Sequence, residues 1–276
     1  SVANKLNQDH NVQSVNNSEK ESVTLICYQN INDLPGIPDL AVVAIPAGSA
    51  VETIQLLAER GVKAVVLFSA GFKEIGQEGS LLEDRLKNIA REFGITLLGP
   101  NCLGLVNTNG KSEVKNNSLL INKMNCTFGK VAMLPGNLRF VSQSGAIATS
   151  MFDWASYVGL GFEQFITLGN KAVLGENQIL EYWLDLRKSE QSKPLEQPTA
   201  TLSNHIDIRG LAHQHPVGMY LESIQDGKKF KSLLTELTQY DPVFILKPGK
   251  SDGAQKAMQS HTGALAGSDA VLNQAI

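Results

Sequence analysis

Residues 40–46 read Leu-Ala-Val-Val-Ala-Ile-Pro, and residues 62–68 read Val-Lys-Ala-Val-Val-Leu-Phe. Between them Val51, Ile54, Leu57 and Ala58 recur at helical spacing, and Gly61 closes the stretch. A strand with one solvated face alternates apolar and polar residues. A near-continuous apolar run marks a strand buried on both faces. The unit then repeats. Leu82, Leu86, Ile89, Ala90 and Phe93 fall on one helical stripe, Gly94 stands where a C-cap belongs, and Ile95–Leu98 reads as the next strand. Val23–Tyr28 is a shorter apolar run upstream. This alternation predicts an α/β fold with a parallel sheet covered on both faces.

Working outward, residues 108–125 are rich in Asn, Ser and Lys and read as a loop or connection. A second α/β block follows. Its expected strands are Leu138–Val141, Phe165–Leu168, Val217–Leu221 and Val243–Leu246, and its helices are Ser144–Tyr157, Glu176–Leu186 and Asp226–Thr238. From Lys188 to Pro216 the chain is polar and proline-containing, a long surface insertion. A length of 276 residues, at about 150 per domain, agrees with two domains. We expect them at 1–125 and 126–276.

Lys and Arg number 24 and Asp and Glu 27, a net charge of −3 without a basic run, which argues against nucleic acid as the main partner. No apolar stretch approaches the ~18–20 residues of a membrane span, and Ser1–Lys20 holds no signal-peptide core. Cys27, Cys102 and Cys126 are far apart and form no CxxC pair, which points to free thiols in a reducing, cytoplasmic compartment.

Three turns follow three strands of the first block: Ile45-Pro46-Ala47-Gly48-Ser49, Phe68-Ser69-Ala70-Gly71-Phe72 and Gly99-Pro100-Asn101-Cys102-Leu103-Gly104. The carboxyl ends of parallel strands line the ligand crevice, and small residues there let backbone N–H groups approach a nucleotide-like ligand. Ordinary strand-to-helix turns want the same residues, so both readings stand. An NAD(P) fingerprint is missing, because Gly159-Leu160-Gly161 precedes a strand instead of joining strand to helix. Val141-Ser142-Gln143-Ser144-Gly145-Ala146 does join strand to helix. It lacks the glycine and the downstream Asp and His of a hydrolase elbow. It reads either as an anion cradle, with Ser144 capping and Gly145 admitting close approach, or as a serine cap alone.

The histidines are His10, His205, His213, His215 and His261. His213 and His215 read as a solvated pair, since no Cys or carboxylate cluster accompanies them, and no metal site is expected. His261 lies in Ser260-His261-Thr262-Gly263-Ala264-Leu265-Ala266-Gly267-Ser268, with little apolar surface around it. Such a ring is either a solvated loop histidine or, titrating near neutrality, a nucleophile toward phosphorus, and both readings stand. Glu222 ends a strand of the same block. If it reaches His261 it can fix the tautomer of the ring.

In this order the motifs resemble the NDP-forming acyl-CoA synthetases, the group of ADP-forming acetate–CoA ligase and the succinyl-CoA synthetase α subunit. The matching stretches include Leu40–Pro46, Phe68–Glu74, Leu98–Gly104, Phe140–Gly145, Phe152–Trp154, Leu168–Lys171, Tyr220–Ile224, Leu246–Lys250 and Ser260–Ser268. The resemblance implies a CoA-binding Rossmann-like domain followed by a flavodoxin-like, succinyl-CoA-synthetase-type domain. It implies that acyl-CoA, ADP and phosphate give the acid, CoA and ATP, through acyl phosphate and a phosphohistidine. His261 matches the family's phosphohistidine and Glu222 the carboxylate that orients it. Ser142, Ser144 and Gly145 match the phosphate-binding helix start. Ile45, Pro46, Ala47, Ser69, Ala70, Gly71, Pro100, Asn101 and Cys102 are the implied CoA contacts, with Cys102 a backbone-approach residue and no nucleophile. ADP or ATP with Mg2+ is expected in a separate ATP-grasp domain or subunit, and the assembly is expected to be an oligomer. Departures from the family are a glycine-rich N-terminal loop reduced to Ser1-Val2 and a longer stretch from Ser189 to His215. With no ATP-grasp segment, the chain reads as a fragment. The competing expectation is a ligase-like CoA-sensing regulatory region of a protein lysine acetyltransferase. The presence of His261 favours the ligase.

Overall fold

The computed structural model describes residues 11–15, 22–109, 112–115, 118–121, 123–129, 133–191 and 214–248. Strands β1 (Asn11–Val15) and β2 (Ser22–Ile26) form an antiparallel ribbon of their own, so the run at Val23–Tyr28 does not join the parallel sheet. Strands β3 (Ala41–Val43), β4 (Ala64–Leu67) and β5 (Thr96–Leu98) pair in parallel in that order, linked by helices α1 (Ala47–Arg60) and α2 (Gln77–Phe93). Val65, Leu67 and Leu97 join a core with Ala50, Val51, Ile54 and Leu57 of α1 and Leu86, Ile89 and Ala90 of α2. Val66 and Leu98 point to the other face. They belong to the core that holds Leu168, Leu180 and Trp183 of the following unit. Helices thus cover one face of β4 and β5 and a second unit covers the other, which explains their continuous apolar runs, whereas edge strand β3 buries Val43 and leaves Val42 exposed, short of the burial on both faces expected for it.

The chain changes sheets at β6 (Gly104–Asn107), ahead of the expected division at 125/126. Strands β7 (Ser112–Lys115) and β8 (Ser118–Ile121) form a hairpin, and β9 (Met124–Thr127) returns to pair with β6. Residues 108–125 are therefore more than the expected loop. Then come β10 (Pro135–Ser142), α3 (Gly145–Val158), β11 (Phe162–Thr167), α4 (Glu176–Gln191), β12 (Val217–Tyr220), α5 (Gly227–Leu237) and β13 (Val243–Leu246). The sheet runs β13-β12-β10-β11-β6-β9, parallel through β11 and antiparallel at β6 and β9. Ala148, Phe152 and Ala155 of α3 pack on Phe140, Phe162 and Phe165 on one face. Ile179, Leu180 and Trp183 of α4 and Phe230 and Leu237 of α5 cover Val141, Ile166 and Met219 on the other.

At the opposite end of this sheet from the carboxyl ends, Arg139 is fully buried and meets Glu163 through two bonds of 2.7 and 3.2 Å. His215 Nδ1 stands 2.5 Å from Glu163 Oε2, and His215 N donates to Asp241 at 2.7 Å. His215 is thus a structural partner and not half of a solvated pair. His10, His205 and His213 lie outside the described residues. Burial pushes the Glu163 carboxyl up, but bonds from His215 and Arg139 outweigh it and hold the group below its ordinary 4.5. A lowered carboxyl contributes stability above its unfolded value, lost as pH falls through the folded one. Glu163→Gln is expected to cost about 3–5 kcal/mol near neutrality, because Arg139 loses its buried counter-charge. The deficit should shrink in urea titrations as pH falls below 4.5. A deficit independent of pH would count against this assignment.

Candidate functional site

The two sheets meet along one seam. Backbone N–H groups of Asn170, Ala172 and Leu174 donate to the carbonyls of Pro100, Gly99 and Leu97 at 2.9, 3.1 and 3.1 Å. Gly169 precedes this contact at φ 56, and a Cβ there would fall 2.2 Å from Pro100 O. Asn170 Nδ2 donates to Glu74 and Glu83, and Lys73 lies 3.3 Å from Glu83. Burial pushes the Glu74 carboxyl up, but the Asn170 amide and the N–H groups of Gly71 and Phe72 hold it below its ordinary value.

A cavity of about 330 Å3 opens where the strand ends of both sheets converge. Gln143, Ser144, Gly145, Asn170 and Glu222 line it from one unit, and Lys73, Asn101 and Cys102 from the other. Ser144 caps α3, accepting the N–H of Ile147 at 3.4 Å, and no acidic residue occupies the first turn of that helix. The positive end of the helix dipole therefore faces the cavity without a neutralising carboxylate on its own turn. Ser142 is buried behind this wall. Its hydroxyl donates to Ser144 O at 2.7 Å and accepts Ser144 N at 3.2 Å, so it shapes the turn from within.

Glu222 is buried at the end of β12. Its backbone N–H, and that of Ser223, donate to Gln143 Oε1. Behind the same turn the buried Lys171 bonds Glu176 at 2.8 Å and the carbonyl of Ser223 at 2.7 Å. Burial outweighs the Glu176 attraction and lowers the Lys171 ammonium from its ordinary value.

A second depression of about 420 Å3 is lined by Ala44, Ile45, Pro46, Phe68, Ser69 and Ala70. Phe128 lines both spaces and packs edge-on against Phe68, with ring centroids 5.2 Å apart. The structure thus groups Ser144, Gly145, Glu222, Asn101 and Cys102 around one cavity, and Ile45, Pro46, Ser69 and Ala70 around its neighbour. Ala47, Gly71, Pro100 and Ser142 line neither space. His261 lies outside the described residues. The sequence reading assigned no role to Lys73, Gln143, Asn170, Lys171 or Phe128. All but Phe128 sit inside the motifs quoted above, which was the available signal. Among the described residues no His/Cys/Asp/Glu group suits a metal, and no helix is long and apolar enough to cross a membrane.

Residues 1–108 match the family described as a CoA binding domain, and residues 135–191 and 212–276 match the succinyl-CoA ligase like flavodoxin domain. ADP-forming acetate–CoA ligase I of Archaeoglobus fulgidus is 35% identical over 257 residues, covering 93% of this chain and 32% of that protein. The α subunit of ADP-forming acetate–CoA ligase II of Pyrococcus furiosus is 33% identical over 261 residues, covering 95% of this chain and 49% of that subunit. A dinucleotide forming acetyl-coenzyme A synthetase 1 of Ca. Korarchaeum cryptofilum, solved with phosphate and ADP, superposes with a TM-score of 0.72 at 27% identity, covering 95% of this chain and 48% of that one. The chain spans between 32% and 49% of the length of these relatives.

Burial pushes the Cys102 thiol up to about 12, whereas Cys27 is exposed. Iodoacetamide at neutral pH should therefore label exposed Cys27 much faster than Cys102, which is buried and held as the thiol, read by peptide mass spectrometry, since only the thiolate reacts. Comparable rates would mean that Cys102 is open and nucleophilic.

Proposed function

The chain belongs to the NDP-forming acyl-CoA synthetase family, and on that premise we propose that it is the CoA- and phosphate-handling portion of an ADP-forming acyl-CoA ligase, with acetate–CoA ligase as the activity. The carrying observation is the convergence of the Ser144–Gly145 helix start, Glu222, Asn101 and Cys102 on one cavity beside the Ile45–Ala70 depression. In this reading CoA lies along the first-domain turns with its thioester at the junction. A phosphate oxygen attacks the thioester carbonyl carbon. The C–S bond breaks, CoA leaves as the thiol after taking a proton, and an acyl phosphate remains. A ring nitrogen of His261 then attacks phosphorus, and the P–O bond to the acyl group breaks to release the carboxylate. ADP finally takes the phosphoryl group to give ATP.

The chemistry asks different things of each residue. A phosphoryl group carries close to two negative charges, and the N-terminus of α3 meets it with fixed dipoles worth ~0.3–1 kcal/mol when exposed and about 2 when partly buried. Glu222 serves as the acceptor that holds one nitrogen of His261 protonated and leaves the other to attack. ADP or ATP with Mg2+ belongs to an ATP-grasp domain or subunit, the expected partner, and a small carboxylic acid is the product. Oligomerisation and a cytoplasmic location complete the proposal. The relatives above carry ligase names, so the acetyltransferase alternative is not favoured.

The test is phosphoryl labelling of the complete enzyme with acetyl phosphate or labelled ATP. Acid-labile label is expected on the enzyme, absent in His261→Ala and formed ~10- to 100-fold more slowly in Glu222→Gln. Label that persists in His261→Ala would end this reading.

A further inference from the structure

Gln143 holds the turn that carries Glu222. Gln143 Oε1 accepts the N–H of Glu222 at 3.0 Å and that of Ser223 at 3.1 Å, while Gln143 Nε2 donates to Ser223 Oγ at 3.2 Å. The backbone N–H of Gln143 adds a bond to Tyr220 O at 2.9 Å. One side chain, placed just before the Ser144 cap, therefore ties the turn carrying the carboxylate to the turn that opens α3. On the far side the 222–225 turn is fastened by Lys171 to Ser223 O and by Glu176 to the N–H of Gln225 at 2.8 Å. Gln143 is the member of this clamp that also lines the cavity.

Two demands specify the residue type. An acceptor is required, because an apolar side chain would leave two part-buried N–H groups unsatisfied. Neutrality is required as well. A carboxylate would accept both N–H groups more strongly, but it would set a negative charge against the end of α3 that favours anions. An amide meets both. We infer that Gln143 is a positioning residue that fixes Glu222 relative to the start of α3, and that its neutral amide keeps the cavity receptive to phosphate. This inference rests on the ligase reading for the role of Glu222 and on geometry for the clamp.

The experiment uses the complete enzyme with Gln143→Met and Gln143→Glu, and inorganic phosphate as the probe. For Gln143→Met the expected result is a fall in kcat on the order of a hundredfold, with KM for phosphate changed by only about threefold, because misplacement of a catalytic group costs turnover more than binding. Gln143→Glu retains the acceptor. It should keep kcat within about tenfold but raise the calorimetric Kd for phosphate by roughly tenfold, through charge repulsion. Measured against the unaltered enzyme, whose Glu222 carboxylate already lines the same cavity beside the Lys73 ammonium, that weakening should grow as pH rises through the carboxylate range. Thermal midpoints within a few degrees of the unaltered enzyme separate these effects from misfolding. Unchanged kcat in Gln143→Met, or phosphate binding in Gln143→Glu that matches the unaltered enzyme at every pH, overturns the inference. If Gln143→Met does not fold, the Gln143→Glu binding profile decides alone. An unaltered enzyme that binds phosphate but never takes label would sink the ligase reading, while the Gln143→Glu profile would still judge the clamp.

Discussion

The backbone of residues 170–174 runs along β5 and the turn after it, and everything at the site depends on that seam. Three N–H groups of one unit are satisfied by three carbonyls of the other. The contact is possible only because Gly169 lacks a side chain where Pro100 O approaches. Glu74, Glu83, Asn170 and Lys73 then lock the seam with charge-assisted bonds. As a result the carboxyl ends of two sheets, which in separate domains would face separate ligands, face one cavity.

That juxtaposition suits a reaction that exchanges a thiol ester for a phosphoryl group. The thioester and the anion must meet, and each needs a different surface. The first unit offers small-residue turns and Phe68, which meets Phe128 of the second unit at an open depression. The second offers a capped helix start without acidic residues and a buried carboxylate held by backbone clamps. In the proposed reaction neither surface alone would bring the two groups together, so that proposal gives the seam a functional part beside its structural one.

Much of the fold was legible because local pattern and tertiary burial agreed. The apolar run at 62–68 and the stripes through Ile54 and Ile89 are buried as their periodicity demands, whereas in the run at 40–46 Val43 is buried and Val42 and Ile45 stay exposed, because β3 is an edge strand. Strands β6 to β9 were not legible. Their Asn, Ser and Lys content says loop, and β6 and β9 are defined by antiparallel pairing onto a sheet built mostly from later residues. At the site, Ser144, Gly145 and Glu222 could be read from position in their motifs. The separation of Ser142 from the cavity could not, because neighbouring strand residues alternate in direction and only the fold shows which faces the ligand. Gln143 and Lys171 escaped notice because their partners, Ser223 and Glu222, are 52 to 80 residues away in sequence. His215 escaped for the same reason: its partner Glu163 is distant in sequence and adjacent in space.

A crystal structure of the enzyme grown with inorganic phosphate tests the central claim most directly. The account predicts a phosphate in the cavity at the start of α3, with oxygens about 3 Å from the first backbone N–H groups of the helix and with Glu222 on the same wall. Phosphate bound elsewhere, with the start of α3 left to solvent at saturating concentration, would contradict it.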